Sequence, residues 1–281
     1  VRAGDVILCE GERVSSEKVL LLAACGVAQV AVRSAPLPPP TPRGRVGILA
    51  TGKEIVPLSA LDPAREPAPG HVVDCITPFL SALLLSHGFE PVVLLPSGDS
   101  PTAFASTLAA ALAADPPFSG VSRGSTDHIP STLASLGVAP VFHGVKIRPG
   151  APVKLGVHPP TSARLRPLPV LSLPGNPMAS AACMRSFGDA LLERLGGAGT
   201  GWRSMEAAQA RRWAQVLPPT RSGSSCFWAV PVDAQAGLPS LEMAAARAWK
   251  GPGALGSLVE AGAWLRVDAD ERGASVFWRS F

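Results

Sequence analysis

The stretch Val121-Ser-Arg-Gly-Ser-Thr-Asp127 lies between an apolar segment and residues 129–136, whose spacing predicts a helix. Its small residues leave the backbone uncovered, so that peptide N–H groups can approach an anion closely. Asp127 stands at the start of the predicted helix, where a carboxylate either caps free N–H groups or points into a cleft. Because small-residue turns before helices are common, capping alone would explain the pattern. The stretch is therefore either a helix start or one wall of an anion site.

The composition is that of a globular protein with many loops. Of the 281 residues 47% are apolar, which is enough for a sizeable core and for more than one domain. The 30 prolines and 28 glycines predict frequent turns. The net charge is only +4, and no basic stripe with interleaved aromatic residues indicates nucleic acid. A small anion is the better expected ligand.

Cysteine and histidine usage argues against a zinc site or a disulfide framework. The five cysteines are widely spaced and form no Cys-x-x-Cys pair, which favours reduced core thiols: Cys9, Cys25, Cys75, Cys183 and Cys226. The five histidines lack ligand spacing and are expected at the surface or in local hydrogen bonds. No membrane-spanning run and no signal peptide occur, so we expect a cytoplasmic protein without membrane contact. Because the chain begins on Val1, we expect a fragment.

Composition divides the chain into four segments. Residues 1–34 predict a partial N-terminal domain, and the proline-rich residues 35–42 predict a stiff linker. Residues 43–195 have the pattern of an α/β domain. Residues 196–281 alternate short apolar strands with Gly and Pro, which predicts a small β-barrel-like domain.

The N-terminal segment predicts one helix between two short strands. The strands are expected at residues 4–8 and 29–32, and Ser15 or Ser16 is the expected cap of the helix between them. So small a unit buries too little surface to be stable unaided. We therefore expect it to pack against another part of the protein.

The α/β segment predicts a three-layer α/β/α sheet. Beyond a buried strand at 45–50, the pattern predicts helices at 74–87, 101–114, 129–136 and 179–195, and strands at 91–95, 140–145, 153–157 and 170–173. The strand expected at 115–118 contains two prolines, so it is either displaced to an edge or shortened by lost residues. We expect the strands to end at Thr51, near Ser119 and at Leu173 on one common edge. Ligands of open parallel sheets bind at this edge.

Four loops contain the sequence motifs that bear on function. They are Thr51-Gly-Lys-Glu54, Ser119-Gly-Val-Ser-Arg-Gly-Ser-Thr-Asp127, Arg148-Pro-Gly-Ala-Pro152 and Leu173-Pro-Gly-Asn-Pro-Met-Ala179. Each motif is weak alone, but their order along nearly the whole chain is specific. In this order they resemble the molybdopterin molybdenumtransferase, or molybdenum insertase, family, to which the C-terminal part of gephyrin belongs. The segment Ala3-Gly-Asp-Val-Ile-Leu8 matches the same family.

The resemblance implies a molybdopterin-binding α/β domain in a homodimeric enzyme of molybdenum cofactor biosynthesis. Such an enzyme takes adenylylated molybdopterin and molybdate, with Mg²⁺, and releases the molybdenum cofactor and AMP. By position, Asp127 and Glu54 would be catalytic carboxylates that hold Mg²⁺, and Arg148 would help to hold molybdate. The implied substrate-contacting residues are Thr51, Gly52, Asp74, Gly120, Ser122, Gly124, Arg148, Pro149, Gly150, Pro174, Gly175, Asn176 and Pro177.

The chain departs from the family pattern within the implied site. Ser125 replaces an acid, Ala151 replaces a Lys, and Ala179 replaces a Ser. Each change removes a charge or a hydrogen bond from an anion site. A catalytically impaired relative that binds molybdopterin or acts as a scaffold is therefore the alternative. An adenylyltransferase of the related three-layer fold is a third possibility, disfavoured by the trailing β segment.

Overall fold

The computed structural model describes residues 1–33, 42–61, 67–97, 100–113, 129–162, 165–197, 199, 201–233, 235–245, 253–270 and 273–281. The helices in these ranges are α1 (Ser16–Ala24), α2 (Ile76–Ser86), α3 (Pro101–Ala113), α4 (Ile129–Ser135), α5 (Pro177–Cys183), α6 (Asp189–Arg194), α7 (Ala207–Val216) and α8 (Leu241–Ala245). The strands are β1 (Arg45–Thr51), β2 (Ile55–Val56), β3 (Val72–Val73), β4 (Glu90–Ser97), β5 (Ala139–His143), β6 (Ile147–Arg148), β7 (Lys154–His158), β8 (Leu168–Ser172), β9 (Arg203–Ser204), β10 (Ser224–Val230), β11 (Ala263–Asp270) and β12 (Gly273–Ser280). A π-helical turn, Met184–Gly188, joins α5 to α6.

The N-terminal segment contains the predicted helix but not the predicted strands. Ser15 caps α1, because its hydroxyl accepts a hydrogen bond from the Lys18 N–H at 3.2 Å. Residues 5–9 and 27–33 form no strand, so both strand predictions were wrong. Short apolar runs favour strands only where a neighbouring strand can pair with them. Here the unit packs instead through α1, which lies against α2.

The strands of the α/β segment are covered by helices on both faces. Ile48 of β1 and Leu171 of β8 share one core with α2, α5 and α6. Leu49 and Val170, the alternate residues of the same two strands, share a second core with α3 and α4. Successive side chains of a strand point to opposite faces, so this division follows from the backbone. The predicted three-layer α/β/α arrangement is confirmed.

The path of helices α5 and α6 indicates that β1 and β8 point in the same direction. Helices α5 and α6 leave the end of β8, and Leu192 near the end of α6 lines a small cavity with Val46 near the start of β1. The Arg43 guanidinium, just before β1, also donates to the Gly196 carbonyl, just after α6. Since α5 and α6 thus return to the edge where β1 starts, the loops that follow β1 and β8 lie at the opposite edge. This is the common edge predicted for the ligand.

The chain also forms smaller paired units. β1 and β4 are parallel, β2 and β3 are parallel, and β5, β7 and β8 form an antiparallel sheet. The predicted pairing of residues 140–145 with residues 153–157 is confirmed in β5 and β7. Residues 35–41 of the predicted linker, the strand expected at 115–118 and the stretch at 121–127 lie outside the described residues. The longest described helix, α3, has 13 residues, so none in the described ranges has the length required to span a bilayer.

The last segment contains a sheet of order β6-β10-β11-β12-β9. Its β6 is contributed by residues 147–148, from within the α/β segment, and pairs in parallel with β10. Helix α7 packs on β12, and Trp213 buries its ring against this sheet. The pattern of residues 207–216 did not indicate α7, because its apolar stripe is short and mostly alanine. The boundaries of the four predicted domains stay a prediction.

A buried ion network connects the N-terminal segment to the rest of the chain. Arg185, in the π-helical turn, donates from Nε to Glu17 Oε1 at 2.8 Å and from Nη2 to Glu17 Oε2 at 3.1 Å. The same guanidinium contacts Asp189 Oδ1 at 3.4 Å, and Arg279 of β12 also bonds Asp189. Both carboxylates are fully buried. The network therefore joins α1, α6 and the C-terminal sheet.

His87 corrects the prediction that the histidines lie at the surface or in local hydrogen bonds. It is 5% exposed, and its Nε2 lies 3.1 Å from Asp189 Oδ1, across 102 residues of sequence. The sequence contains no sign of this contact, because the two residues lie far apart in the chain and the local pattern indicates only the pairing of Asp189 with Arg185, four residues before it. His71 and His143 are exposed as predicted, and His128 lies outside the described residues.

We predict that Glu17→Gln lowers the free energy of unfolding by about 3 kcal/mol, because it removes the charge of the closer of the two carboxylates that pair with the buried Arg185. Urea unfolding followed by tryptophan fluorescence measures the loss. Glu12→Gln is the matched control, since the Glu12 carboxylate is 36% exposed in its 3.0 Å pair with Lys18. It should cost less than about 1 kcal/mol. Equal losses in both variants would contradict a structural role for the network.

The stability should also depend on pH through Glu17. Burial raises the pKa of Glu17, but the Arg185 charge and hydrogen bonds from Arg185, Trp264 and Ser16 outweigh it, so the pKa is lowered overall. Because the pKa of Glu17 is lower in the folded state than in the unfolded state, its ionisation stabilises the fold at pH values above the unfolded-state pKa. This stabilisation is lost as the pH falls through the folded-state pKa. We expect the parent to lose this contribution in acid, below the ordinary glutamate range. Urea midpoints measured from neutral to acid pH should fall less steeply for Glu17→Gln.

Candidate functional site

Two strand ends at the common edge each carry a buried hydroxyl without a partner. Thr51, the last residue of β1, is 7% exposed, and Ser172, the last residue of β8, is 4% exposed. Within the described ranges, neither hydroxyl oxygen has a hydrogen-bond partner. An unsatisfied buried polar group costs about 1–3 kcal/mol, so its presence calls for an explanation such as a ligand. Both hydroxyls are candidate donors to an anion bound here.

The loop after β1 places one carboxylate at this edge. Gly52 has φ +129°, and a Cβ there would lie 2.7 Å from Glu54 Oε2. The Glu54 carboxylate therefore lies directly over the loop backbone, which only glycine allows. Among the described residues, no hydrogen bond or ion pair engages this carboxylate. Within the part of the chain that the structure describes, it is available to a cation or to a substrate.

Asp74 has a different position from Glu54. Its Oδ1 accepts hydrogen bonds from the N–H groups of Ile76 at 3.2 Å and Thr77 at 3.0 Å, which caps α2. The strands β2 and β3 are parallel, and Glu54 lies just before β2 whereas Asp74 lies just after β3. The two backbones are therefore about three residues apart along the strand direction, which is about 10 Å. The structure thus does not bring these two carboxylates together as a pair.

The turn that carries Arg148 packs against α5. Its Arg148-Pro149 peptide bond is cis, and Arg148 itself is exposed. Gly150 has φ +117°, and a Cβ there would lie 2.3 Å from Cys183 Sγ and 3.5 Å from the Ala179 carbonyl oxygen. Because Ala179 is in the first turn of α5, the Arg148 turn lies beside the loop that follows β8.

The loop after β8 is fixed by hydrogen bonds at the start of α5. Asn176 caps the helix, since its Oδ1 accepts from the Ala179 N–H at 3.0 Å, and Pro177 is the first helical residue. The Pro174 carbonyl accepts a hydrogen bond from the buried Ser180 hydroxyl. Asn176 is nevertheless exposed, so one side of its amide faces outward.

The predicted site residues fall into three groups. At the common edge lie Thr51, Gly52, Glu54, Pro174, Gly175, Asn176 and Pro177, with Arg148, Pro149 and Gly150 beside them. Asp74 is present as a helix cap. Asp127, Gly120, Ser122 and Gly124 lie outside the described residues. No group of three or more His, Cys, Asp or Glu side chains suited to a metal occurs within the described ranges.

Two residues of this region, Ser172 and Cys183, were not among the predicted site residues. Ser172 continues an apolar strand and gives no signal of its own, although a hydroxyl at the last position of a strand is a usable cue. Cys183 was assigned to the core only. Burial raises its pKa to about 12, so it is a neutral thiol. Its contact with the turn at Gly150 could not be predicted, because that turn comes from a distant part of the chain.

The fold and this edge define an α/β protein with a candidate anion site where the strands end. A family model described as a probable molybdopterin binding domain matches residues 47–194. A molybdopterin molybdenumtransferase of Nostoc sp. is 34% identical over 204 residues, which cover 72% of this chain and 43% of the relative. One of Synechococcus elongatus is 28% identical and is covered to 52%. The chain belongs to this molybdopterin-binding family.

Solved structures agree on the fold. The molybdopterin biosynthesis MoeA protein from Pyrococcus horikoshii OT3 superposes with a TM-score of 0.58 at 22% identity, over 84% of this chain and 54% of that chain. A molybdenum cofactor biosynthesis protein from Pyrococcus furiosus gives a TM-score of 0.51 at 23% identity, over 100% of this chain and 81% of that chain. The chain spans about half the length of the curated relatives reported above.

Asn176 allows a test that separates capping from ligand binding. Asn176→Asp keeps the acceptor that caps α5 but adds a negative charge, whereas Asn176→Ala removes the cap and should cost about 1 kcal/mol. If an anion binds at this edge, Asn176→Asp should weaken molybdate binding in the presence of adenylylated molybdopterin without a loss of thermal stability. Calorimetric titration and thermal unfolding give the two readouts.

The matched control is Ser15→Ala, which removes the cap of α1. It should cost a similar amount of stability and leave molybdate affinity unchanged. Equal molybdate affinity in Asn176→Asp and the parent would show that the loop does not face the anion.

Proposed function

We propose that the chain inserts molybdate into adenylylated molybdopterin and releases AMP, as an enzyme of molybdenum cofactor biosynthesis. One observation carries the proposal. At the edge where the strands of a molybdopterin-binding domain end, the described residues include two buried hydroxyls without partners, Thr51 and Ser172, and a carboxylate, Glu54, that no described residue engages. Hydrogen-bond donors suit molybdate and phosphate, and a carboxylate suits the cation that accompanies a phosphoanhydride.

Each described residue then has a role that its position allows. Thr51 and the loop backbone would donate hydrogen bonds to phosphate oxygens. Arg148 would neutralise molybdate, since an exposed guanidinium beside the loop offers several donors in a planar fork. Pro174 to Pro177 would form the wall of the pocket. Gly52 and Gly150 let the backbone approach the ligand where a side chain would collide.

Mg²⁺ is compatible with the residues present. In phosphate chemistry this ion is usually held by one or two carboxylates together with substrate phosphates and waters. Glu54 supplies one carboxylate at the edge, and Asp127 would supply the second. When bound, the ion would neutralise charge on the phosphoanhydride that is cleaved. Glu54 would position the ion, and the buried hydroxyls would hold the oxygens around it.

The proposal predicts that Glu54→Gln lowers molybdate-dependent AMP release by more than about 10-fold, because the amide keeps the shape but lacks the charge that a hard cation needs. AMP is measured by chromatography after the purified chain is mixed with adenylylated molybdopterin, molybdate and Mg²⁺. Asp127→Asn should cause a similar loss with the fold preserved.

Glu193→Gln is the matched control, because Glu193 is exposed near the end of α6, at the edge opposite the site. It should release AMP at the parent rate. If Glu54→Gln and Asp127→Asn also keep the parent rate, neither carboxylate acts in the reaction.

A second candidate is a molybdopterin-binding protein without turnover. It is favoured by Ala151 and Ala179, which offer no charge or hydroxyl to an anion, and Ala179 is 4% exposed. Adenylylated molybdopterin should then bind to the chain, but molybdate should release no AMP. The AMP assay on the parent chain separates this candidate from the enzyme.

We further propose that the protein is a cytoplasmic homodimer. Its cysteines are free, with Cys9 and Cys25 exposed, which is the state that a reducing compartment maintains. The N-terminal segment exposes Val6 to 65% and Val32 to 63%, and a second subunit would cover them. Light scattering should give twice the chain mass at micromolar concentration. A stable monomer would contradict the dimer.

A further inference from the structure

The segment that carries Arg148 is a closed loop held by its own backbone. The Gly144 N–H donates to the Val153 carbonyl at 2.9 Å, and the Val145 N–H donates to the Ala151 carbonyl at 2.9 Å. The Val153 N–H also donates to the Gly150 carbonyl at 3.1 Å. The loop therefore keeps its shape, but these bonds alone do not fix where it lies relative to the strand-end edge.

Cys183 provides one contact that fixes the loop. Its Sγ lies 3.4 Å from the Gly150 carbonyl oxygen and is its hydrogen-bond donor. Burial raises the pKa of Cys183 to about 12, so the thiol keeps the proton that it donates. Since the sulfur also fills the space where a Cβ of residue 150 would stand, the loop rests directly on the end of α5.

Strand β10 provides a second contact from the C-terminal sheet. The Ser225 N–H donates to the Lys146 carbonyl at 2.9 Å, and Arg148 pairs with Cys226. Burial raises the pKa of Cys226 to about 11, although the nearby positive charge of Arg148 acts in the opposite direction. The guanidinium is thus within electrostatic reach of β10. The loop is clamped between α5 and the edge of the C-terminal sheet.

We propose that Cys183 and β10 are positioning elements for Arg148, so that the C-terminal sheet sets the affinity of the strand-end edge for molybdate. The inference rests on the proposed function, in which Arg148 binds this anion. Arg148 is exposed, and its side chain is long. The location of its charge therefore depends on where the backbone of the loop is held, and a displaced loop would hold the charge away from the bound anion.

The first test is a comparison of substitutions at Cys183. Cys183→Ala removes the donor to the Gly150 carbonyl and the atom under the loop. We expect it to raise the KM for molybdate about 10-fold and to change kcat by less than about threefold. Cys183→Ser restores a donor and should recover most of the parent KM. Val46→Ala is the control, because Val46 belongs to the same core but lies near the start of β1.

A double-mutant cycle tests whether Cys183 acts through Arg148. In an Arg148→Ala background, Cys183→Ala should raise the molybdate KM no further, since the charge that it positions is absent. Ser225→Pro, which removes the N–H that β10 offers to Lys146, should behave in the same way. Additive effects in the cycle, or a KM for Cys183→Ala equal to that of Val46→Ala, would overturn the inference.

Hydrogen exchange separates failure of this inference from failure of the proposed function. Amides of residues 144–153 should exchange faster in Cys183→Ala and in Ser225→Pro than in Val46→Ala, with or without molybdate. If the parent releases no AMP, the proposed function fails, and exchange still reports whether the two contacts hold the loop. Unchanged exchange in both variants would overturn the positioning roles whatever the activity.

Discussion

The arrangement of this protein depends on the buried pairing of Arg185 with Glu17 and Asp189. Two fully buried carboxylates are expensive to remove from water, and the cost is offset only when their partners are held in good geometry. Arg185 meets this condition with two hydrogen bonds to Glu17, and Trp264 adds a third at 2.9 Å. Because the partners come from α1, the π-helical turn and the C-terminal sheet, the network stabilises only one mutual arrangement of these segments.

The π-helical turn connects this network to the candidate site. Met184–Gly188 interrupts the helix between α5 and α6, and π-helical turns of this kind often occur at functional sites. Cys183, the last residue of α5, supports the Arg148 loop, while Arg185, two residues later, lies in the ion network. One short helical segment therefore links the placement of the loop to the packing of the N-terminal helix.

The candidate site draws on both the α/β segment and the C-terminal sheet. The α/β segment supplies the strand ends with Thr51 and Ser172, as expected for open parallel sheets. The C-terminal sheet does not form a separate unit, because β6 leaves the α/β segment and pairs with β10. Loss of the pairing between β6 and β10 would therefore change the position of the Arg148 loop at the site. The family resemblance gave no indication of this coupling.

The sequence by itself determined the layered α/β fold, because alternating apolar strands and periodic helices dictate which faces are buried. It also determined the loops at the common edge, since Thr51-Gly-Lys-Glu54 and Pro174 to Pro177 follow predicted strands. Only the tertiary structure decided that His87 bonds Asp189 and that Cys183 supports Gly150. Each of these two contacts joins residues far apart in the chain, and local patterns carry no information about such partners. The short strands expected near the N-terminus failed for the same reason, because a strand requires a neighbour that the local sequence does not specify.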